Sequence, residues 1–243
     1  MLEPFATMSD EAAWLMSCRE LVVGHAGHGL LPPLNLELCP GQLWAVIGKN
    51  GSGKTTLLRT LLGMLRPVAG EVVRRPGVRV SYLPQRTTVD DLYPLRARDV
   101  VMMGCARGAR GILAGRGWGA AADAALAEVQ LEGVGPKPFR KLSEGQKQRV
   151  LFARLLASEA QIGFLDEPTS AMDQRAQREG LGLLRRLCER RGLCLVVVSH
   201  YLGLAEELAD RVLWVDRDGP RAESGSPAEV LGAMRASGEA GWM

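Results

Sequence analysis

The sequence predicts an α/β fold in which a mostly parallel sheet is interrupted by a lobe of helices. Three observations support this prediction. Strand segments alternate with helical segments on both sides of the lobe. The segments 43–47 and 193–198 are apolar at every position, which suits strands buried on both faces of a parallel sheet. Between about 95 and 158 only helices are predicted, so the alternation stops there and resumes afterwards.

The individual elements follow from apolar spacing and from the residues at their boundaries. Alternation predicts the strand 34–38, and the Pro-Gly pair at 40–41 turns the chain into the next strand. The helix beginning at Lys54 is expected to end before Pro67. Alanine-rich sequence predicts a helix over 120–128. In chain order the predicted elements are a strand at 34–38, a strand at 43–47, a helix at 54–65, a strand at 78–83, helices at 98–103, 120–128 and 145–157, a strand at 162–165, a helix at 174–190, strands at 193–198 and 211–215, and a helix at 227–234.

The length of 243 residues suits one large domain with an inserted lobe. We expect a single domain over 17–234, with the lobe at about 95–158, a leader at 1–16 and a tail at 235–243. No apolar run approaches the roughly 18 residues that span a bilayer. Residues 1–15 lack the basic start of a signal peptide.

The charge balance does not indicate a nucleic-acid partner. The chain has 30 basic and 27 acidic residues, so the formal net charge is only +3. The most basic stretch contains Arg107, Arg110 and Arg116, and it is interpreted either as a solvated loop or as a docking patch for acidic groups or lipid headgroups. The five cysteines form no C-x-x-C pair, which argues against a disulfide framework or a zinc site and favours a reducing cytoplasm.

The most informative motif is G-K-N-G-S-G-K-T-T at 48–56, which lies between an apolar strand and a helix. Its G-x-x-x-x-G-K-T spacing is that of a phosphate-binding P-loop, in which glycines let backbone N–H groups turn toward phosphate oxygens. We expect Lys54 to reach the β- and γ-phosphates and the Thr55 hydroxyl to ligate Mg²⁺. The candidate nucleotide-binding residues of this loop are Gly48, Asn50, Gly51, Ser52, Gly53, Lys54, Thr55 and Thr56.

Polar side chains also follow two later apolar strands. We expect Asp166 to lie beside the P-loop and hold Mg²⁺, and Glu167 to polarise the attacking water. His200 is placed at the edge of the sheet where ligands bind in such folds. Taken alone, His200 is a structural residue more often than a functional one, and Gln85 is an ordinary loop amide.

The segment L-S-E-G-Q at 142–146 precedes a helix and has two interpretations. Ser143 is an ordinary helix N-cap. Alternatively, its hydroxyl, the free N–H groups and the helix dipole together form an anion site.

Taken in order, these motifs resemble the ATP-binding subunit of ABC transporters. The resemblance covers residues from about 17 to 234 and implies a P-loop NTPase core with a mostly parallel sheet, an antiparallel β region and an inserted α-helical lobe. It also implies hydrolysis of ATP with Mg²⁺ by a head-to-tail dimer that sandwiches two ATP molecules. The segments that carry the resemblance are the P-loop, Gln85, 142–146, Asp166-Glu167-Pro168-Thr169, Ser170-Ala171-Met172-Asp173 and His200.

The resemblance also implies roles for single residues. Gln85 would contact Mg²⁺ and sense the membrane partner, Asp173 would close a contact across the dimer, and His200 would lie near the γ-phosphate. The residues that would face the partner's P-loop are Ser143, Gly145 and Gln146. The implied catalytic residues are Glu167, His200, Gln85 and Lys54, and the implied Mg²⁺ ligands are Thr55, Gln85 and Asp166.

Two positions depart from the family pattern. Glu144 stands where the signature segment usually has glycine, and a carboxylate near the partner's ATP is expected to weaken dimer closure. His25 stands where an aromatic side chain usually stacks on adenine, and we expect its neutral imidazole to stack there with less area than tyrosine.

The segment 82–104 resembles its counterpart in subunits of zinc, manganese and iron-chelate importers. This implies a membrane permease as partner, an extracytoplasmic substrate-binding protein, and attachment at the cytoplasmic face of the cell membrane. The cargo implied is a transition metal or its chelate. The alternatives are an importer or exporter of another small molecule, and a soluble ABC ATPase that acts on DNA or ribosomes. The latter class usually needs a long coiled-coil insertion or two fused cassettes.

Overall fold

The structure is a computed structural model that describes residues 14–85, 94–105, 117–170 and 172–238. Its strands are β1 (Met16–Val22), β2 (Gly24–His25), β3 (His28–Gly29), β4 (Leu34–Leu38), β5 (Leu43–Ile47), β6 (Ala69–Arg74), β7 (Val80–Leu83), β8 (Ile162–Asp166), β9 (Cys194–Val198), β10 (Arg211–Asp216) and β11 (Arg221–Gly225). Its α-helices are α1 (Lys54–Leu61), α2 (Ala97–Cys105), α3 (Trp118–Glu128), α4 (Glu144–Ala157), α5 (Gln174–Arg191) and α6 (Pro227–Ala236).

The larger sheet has the strand order β11-β10-β5-β9-β8-β7. Its five strands from β10 to β7 are mutually parallel, and β11 pairs antiparallel with β10. Every residue of β5, β8 and β9 is buried, as the continuous apolar runs predict. The mostly parallel sheet is therefore confirmed. The carboxyl ends of the parallel strands meet at one edge, so the loops that follow them converge there.

A smaller antiparallel sheet has the order β4-β1-β6 and packs its apolar face against α1. Its central strand β1 is missing from the sequence prediction because a bulge between Cys18 and Leu21 breaks the two-residue period. Glu20 in that bulge has φ 46. Strand β6 is also missing from the prediction, because its side chains are exposed or half-buried and give no alternating apolar signal.

The helical lobe is confirmed, with α2, α3 and α4 packed against one another. The interface buries Val100, Val101, Leu126 and Phe152 almost completely. Gly104 allows α2 to approach α4 closely, because an added Cβ would lie 2.1 Å from a backbone oxygen of α4. The predicted basic stretch at 107–116 lies outside the described residues, as do 86–93 of the segment that resembles metal importers.

The prediction for the first helix is wrong at its end. Helix α1 ends at Leu61, whereas the sequence pattern extends the helix to 65. Gly63 has φ 74, and the N–H of Met64 donates to the carbonyl of Arg59 at 2.8 Å. This glycine in a left-handed conformation closes the helix two residues after the last regular turn.

Candidate functional site

The phosphate-binding loop turns sharply between β5 and α1. Gly51 has φ 80 and Gly53 has φ 100, and both values lie in the region that favours glycine. Gly48 lies against β10, where an added Cβ would be 2.1 Å from the carbonyl oxygen of Val215. The loop therefore requires glycine at these positions, and its N–H groups surround the amino-terminal end of α1.

Lys54 is folded into this loop. Its Nζ donates to the carbonyl oxygens of Gly48 at 2.6 Å and Lys49 at 2.7 Å, and the residue is only 6% exposed. Burial lowers the pKa of the ammonium, and the carboxylates of Glu167 and Asp166 oppose that shift. The two carbonyl oxygens therefore hold the cation within the loop.

The carboxylates after β8 lie beside the loop, as the sequence predicts. The hydroxyl of Thr55 donates to Oδ2 of Asp166 at 3.1 Å. Asp166 is 5% exposed, so burial raises the pKa of its carboxyl, while the hydrogen bond from Thr55 opposes the rise. Hydroxyl and carboxylate oxygens are ligands that Mg²⁺ prefers.

Glu167 is held in a strained and specific position. Its φ of 46 is unusual for a residue with a side chain, and its N–H donates to the carbonyl of Val198 at 3.0 Å. The side chain accepts a hydrogen bond from Nε2 of Gln85 at 2.7 Å. Nδ1 of His200 lies 3.7 Å from the same carboxylate oxygen. Gln85, Glu167 and His200 thus form one polar cluster at the sheet edge.

These groups line one open cleft of about 1070 Å³, which we call the P-loop cleft. The predicted site residues that line it are His25, Gly48, Asn50, Gly51, Gly53, Lys54, Thr55, Thr56, Gln85, Asp166, Glu167 and His200. Nε2 of His25 is 3.3 Å from the hydroxyl of Thr56, so the imidazole lies near the start of α1. Ser52 is buried at 3% exposure and does not line the cleft.

Sequence reasoning missed several residues near this cleft. Arg217 and Leu30 line it, and Lys49 forms an ion pair at 3.7 Å with the buried carboxylate of Asp216. Burial and the Asp166 carboxylate both raise the pKa of Tyr82. Lys49 lies inside the P-loop motif and Tyr82 begins the segment 82–104, but neither is assigned a role from the sequence alone. Arg217 follows a buried strand, and that position is a signal that could have identified it.

The residues of the segment 142–146 lie outside the P-loop cleft. Ser143, Gly145 and Gln146 line a separate cleft of about 270 Å³ between α4 and α5, which we call the signature cleft. The hydroxyl of Ser143 accepts from the N–H of Gln146 at 3.3 Å, and the Gln146 side chain accepts from the N–H of Ser143. This is a reciprocal helix cap. A single copy of the chain does not bring these residues to the P-loop.

Asp173 and Glu144 each have a local partner. Asp173 caps α5 by accepting a hydrogen bond from the N–H of Ala176 at 2.8 Å. Oε1 of Glu144 lies 2.8 Å from Nζ of Lys147, one turn along α4. Ala171, in the same predicted segment as Asp173, lies outside the described residues.

The P-loop cleft fits a nucleotide with its cation. Gly51 and Gly53 hold the loop in a turn around the start of α1, and Ser52 Oγ is buried there without a hydrogen-bond partner among the described residues. The hydrogen bonds that Lys54 donates within the described part of the chain go to carbonyl oxygens, and these are replaceable by phosphate oxygens. Thr55 and Asp166 present hard oxygen ligands side by side, and the Gln85 amide uses its nitrogen toward Glu167, which leaves its oxygen for a cation.

No helix within 14–85, 94–105, 117–170 and 172–238 is long and apolar enough to cross a membrane. In the same ranges no group of three or more histidine, cysteine, aspartate or glutamate side chains is placed to hold a metal ion.

Comparison with known proteins gives consistent results. A family model described as ABC transporter matches residues 31–170. The zinc import ATP-binding protein ZnuC of Pseudomonas putida is 38% identical over 92% of this chain and 84% of its own length. ZnuC of Halorhodospira halophila is 35% identical over 95% of this chain and 84% of its own length.

Solved structures share the fold. One is a metal-chelate type ABC transporter in an inward-facing conformation, with a TM-score of 0.78, 28% identity, and coverage of 90% of this chain and 85% of that chain. Another is cbiO1 of Clostridium perfringens, part of the transporter complex cbiONQ, with a TM-score of 0.76, 22% identity, and coverage of 93% of this chain and 92% of that chain.

Proposed function

Because this chain belongs to the ABC transporter family, we propose that it powers the import of a transition metal or a metal chelate across a membrane. It is the ATP-binding and ATP-hydrolysing subunit of such a transporter. The observation that supports a metal as the transported substrate is the sequence identity of 35–38% to zinc import ATP-binding proteins over most of both chains. Zinc is therefore the first ion to test.

The P-loop cleft binds the ATP phosphates in this proposal. Lys54 exchanges its carbonyl partners for β- and γ-phosphate oxygens, and the N–H groups of the loop donate to the remaining oxygens. Ser52 contributes its backbone N–H to this loop, since its buried hydroxyl does not line the cleft. His25 forms the platform for the adenine ring, since it is attached through Thr56 to the start of α1.

Glu167 orients the attacking water in line with the γ-phosphate. Its carboxylate is released from Gln85 for that task and stays within reach of His200. The strained backbone at Glu167 fixes the carboxylate at the edge of the sheet instead of along the strand. Lys54 offsets the negative charge that develops during phosphoryl transfer.

Thr55, Asp166 and the amide oxygen of Gln85 would hold Mg²⁺. When bound, the ion neutralises phosphate charge and holds the transferring group in line. The same Gln85 side chain contacts Glu167, so movement of Gln85 would change two functional groups together.

A second copy of the chain supplies the other half of each site. The signature cleft lies apart from the P-loop cleft, so Ser143, Gly145 and Gln146 would act on ATP held by the partner. Membrane permease subunits at the cytoplasmic face would receive the motion of dimer closure, and an extracytoplasmic binding protein would deliver the cargo.

Cellular metal content tests the cargo. Deletion of the gene should lower cellular zinc, or manganese or iron, under metal limitation, as measured by inductively coupled plasma mass spectrometry. Wild-type protein should restore the content, and the Glu167→Gln variant should not. Unchanged metal content together with altered handling of a sugar, peptide or lipid would overturn the cargo and leave the ATPase assignment intact.

A reconstituted complex gives an independent test. The isolated subunit should need only Mg²⁺ or Mn²⁺, and added zinc should not stimulate its ATPase activity. The complex with its permease should be stimulated by the loaded binding protein. Stimulation of the isolated subunit by zinc would contradict the proposal that cargo is selected outside this chain.

A further inference from the structure

We infer that Lys147 is a positioning residue that neutralises Glu144, and that it thereby restores the ability of the signature cleft to accept ATP bound to a second copy of this chain. The inference rests on the proposed function, because it concerns dimer closure. It assigns a role to a charge pair that lies outside the P-loop cleft.

The position of Glu144 makes it a problem for phosphate binding. Glu144 is the first residue of α4, directly after the cap Ser143. The amino-terminal end of a helix carries partial positive charge, which attracts an approaching anion. A carboxylate at this point stabilises the isolated helix but repels a triphosphate presented by the partner. Glu144 is also the more exposed member of the pair, with 63% of its side chain accessible.

Lys147 is placed to cancel that charge. Its Nζ donates to Oε1 of Glu144 at 2.8 Å, and only 23% of its side chain is exposed. The lysine stem therefore lies along the protein surface and directs the ammonium to the start of α4. The other nearby cation of this helix, Arg149, is already engaged by Gln130 at 3.1 Å and lies 3.9 Å from Glu179.

We expect the Glu144–Lys147 ion pair to affect ATP-driven dimer formation more than it affects folding stability. Exposed pairs contribute little to folding stability. Their effect on a second charged group is different, because removal of the cation leaves an uncompensated anion where a polyanion must bind. We therefore expect a small effect on folding and a larger one on ATP-driven dimer formation.

A double-mutant cycle tests this role in a hydrolysis-deficient Glu167→Gln parent. The measurement is the ATP concentration at half-maximal dimer formation, followed by light scattering after size exclusion. Lys147→Gln should raise that concentration about tenfold, and Lys147→Arg should restore it. Glu144→Gly should lower it, and in the Glu144→Gly background Lys147→Gln should change it less than about twofold.

A matched control is available in Lys141, an exposed lysine in the turn before α4 with no ion pair among the described residues. Lys141→Gln removes the same charge and should leave dimer formation unchanged. Equal effects of Lys147→Gln with and without Glu144, or an equal effect of Lys141→Gln, would overturn the inference.

Failure of the proposed function gives a different result. If the Glu167→Gln parent binds ATP but does not dimerise at any ATP concentration, the trans site itself is wrong and the role of Lys147 falls with it. A parent that dimerises normally while Lys147→Gln has no effect contradicts only the inference about Lys147.

Discussion

The P-loop cleft and the signature cleft differ in how complete they are within one chain. The P-loop cleft contains buried charges with assigned partners, such as Lys54 with two carbonyl oxygens and Asp166 with Thr55. The signature cleft is smaller and its polar residues are partly satisfied by an ordinary helix cap. The first cleft is organised to bind a ligand alone, whereas the second needs a partner to complete it. The two regions should therefore respond differently to mutation.

The largest expected effect is that of Glu167→Gln in the P-loop cleft. The amide keeps the shape and the contact with Gln85, but it loses the charge that orients water. Turnover should fall about 10²–10⁴-fold, the range typical for loss of a general base. ATP binding should persist and should trap a stable dimer. Steady-state ATPase assays and light scattering measure both, with the exposed Glu132→Gln as control.

Wild-type turnover in Glu167→Gln would remove the assignment of Glu167. Loss of ATP binding in the same variant would instead indicate damage to the loop, since the hydrogen bonds of Lys54 within the described residues go to the carbonyl oxygens of the loop.

The second largest effect is expected for Ser143→Arg. This substitution alters the signature cleft and leaves the P-loop cleft of the same chain unchanged, so it separates the roles of the two clefts. A bulky side chain there should block closure and lower turnover about 10²–10³-fold, as the loss of a donor to a reacting group does. Binding of ATP to the monomer should be unchanged in equilibrium titrations. Ser237→Arg, at the exposed end of α6, serves as the control.

Mixing Ser143→Arg with Lys54→Ala protein provides the complementary experiment. A mixed dimer contains one cleft pair with both partners intact, so part of the activity should return. Lost ATP binding by isolated Ser143→Arg protein would show that the two clefts do not act in trans.

A moderate effect is expected for Lys54→Ala. A hydrogen bond to a charged group contributes about 1.5–3 kcal/mol, so ATP affinity should fall about 10- to 150-fold. Adenosine lacks the phosphates that Lys54 faces, and its binding should change little. Calorimetric titration with both ligands, with the exposed Lys137→Ala as control, measures the difference. Equal losses for ATP and adenosine would indicate misfolding instead.

The smallest effect concerns stability. Burial raises the pKa of Asp166, so its ionised form is disfavoured in the folded protein. The folded state then binds more protons than the unfolded state above the ordinary value of 3.8, and the Asp166 contribution to the free energy of unfolding falls as pH rises through the raised value.

Asp166→Asn should remove that dependence in the nucleotide-free protein. We expect a gain of about 1 kcal/mol at pH 7, comparable to relief of a poorly satisfied buried polar group, together with loss of Mg²⁺-dependent turnover. Urea unfolding of both proteins at several pH values measures the free energy of unfolding and its pH dependence. A less stable Asn variant would mean that the charge of Asp166 stabilises the folded protein.

The sequence predicted the parallel core well because its signals are local. Continuous apolar runs identify β5, β8 and β9. Strands that are apolar at every position suit the interior of a parallel sheet covered on both faces. The P-loop is equally local, since glycines and Lys54 are close in sequence. Strands β1 and β6 were missed because a bulge and exposed side chains remove the two-residue period on which such predictions depend.

The amino-acid sequence by itself determined the core strands, the phosphate loop and the order of the motifs, since each depends on neighbours within a few residues. Only the tertiary structure decided which distant residues share a cleft. It joins Gln85, Glu167 and His200 at one sheet edge, adds Arg217, and keeps Ser143 apart from Lys54. The physical reason is that strand order, not chain order, sets which carboxyl ends adjoin, and that order results from packing of the whole sheet.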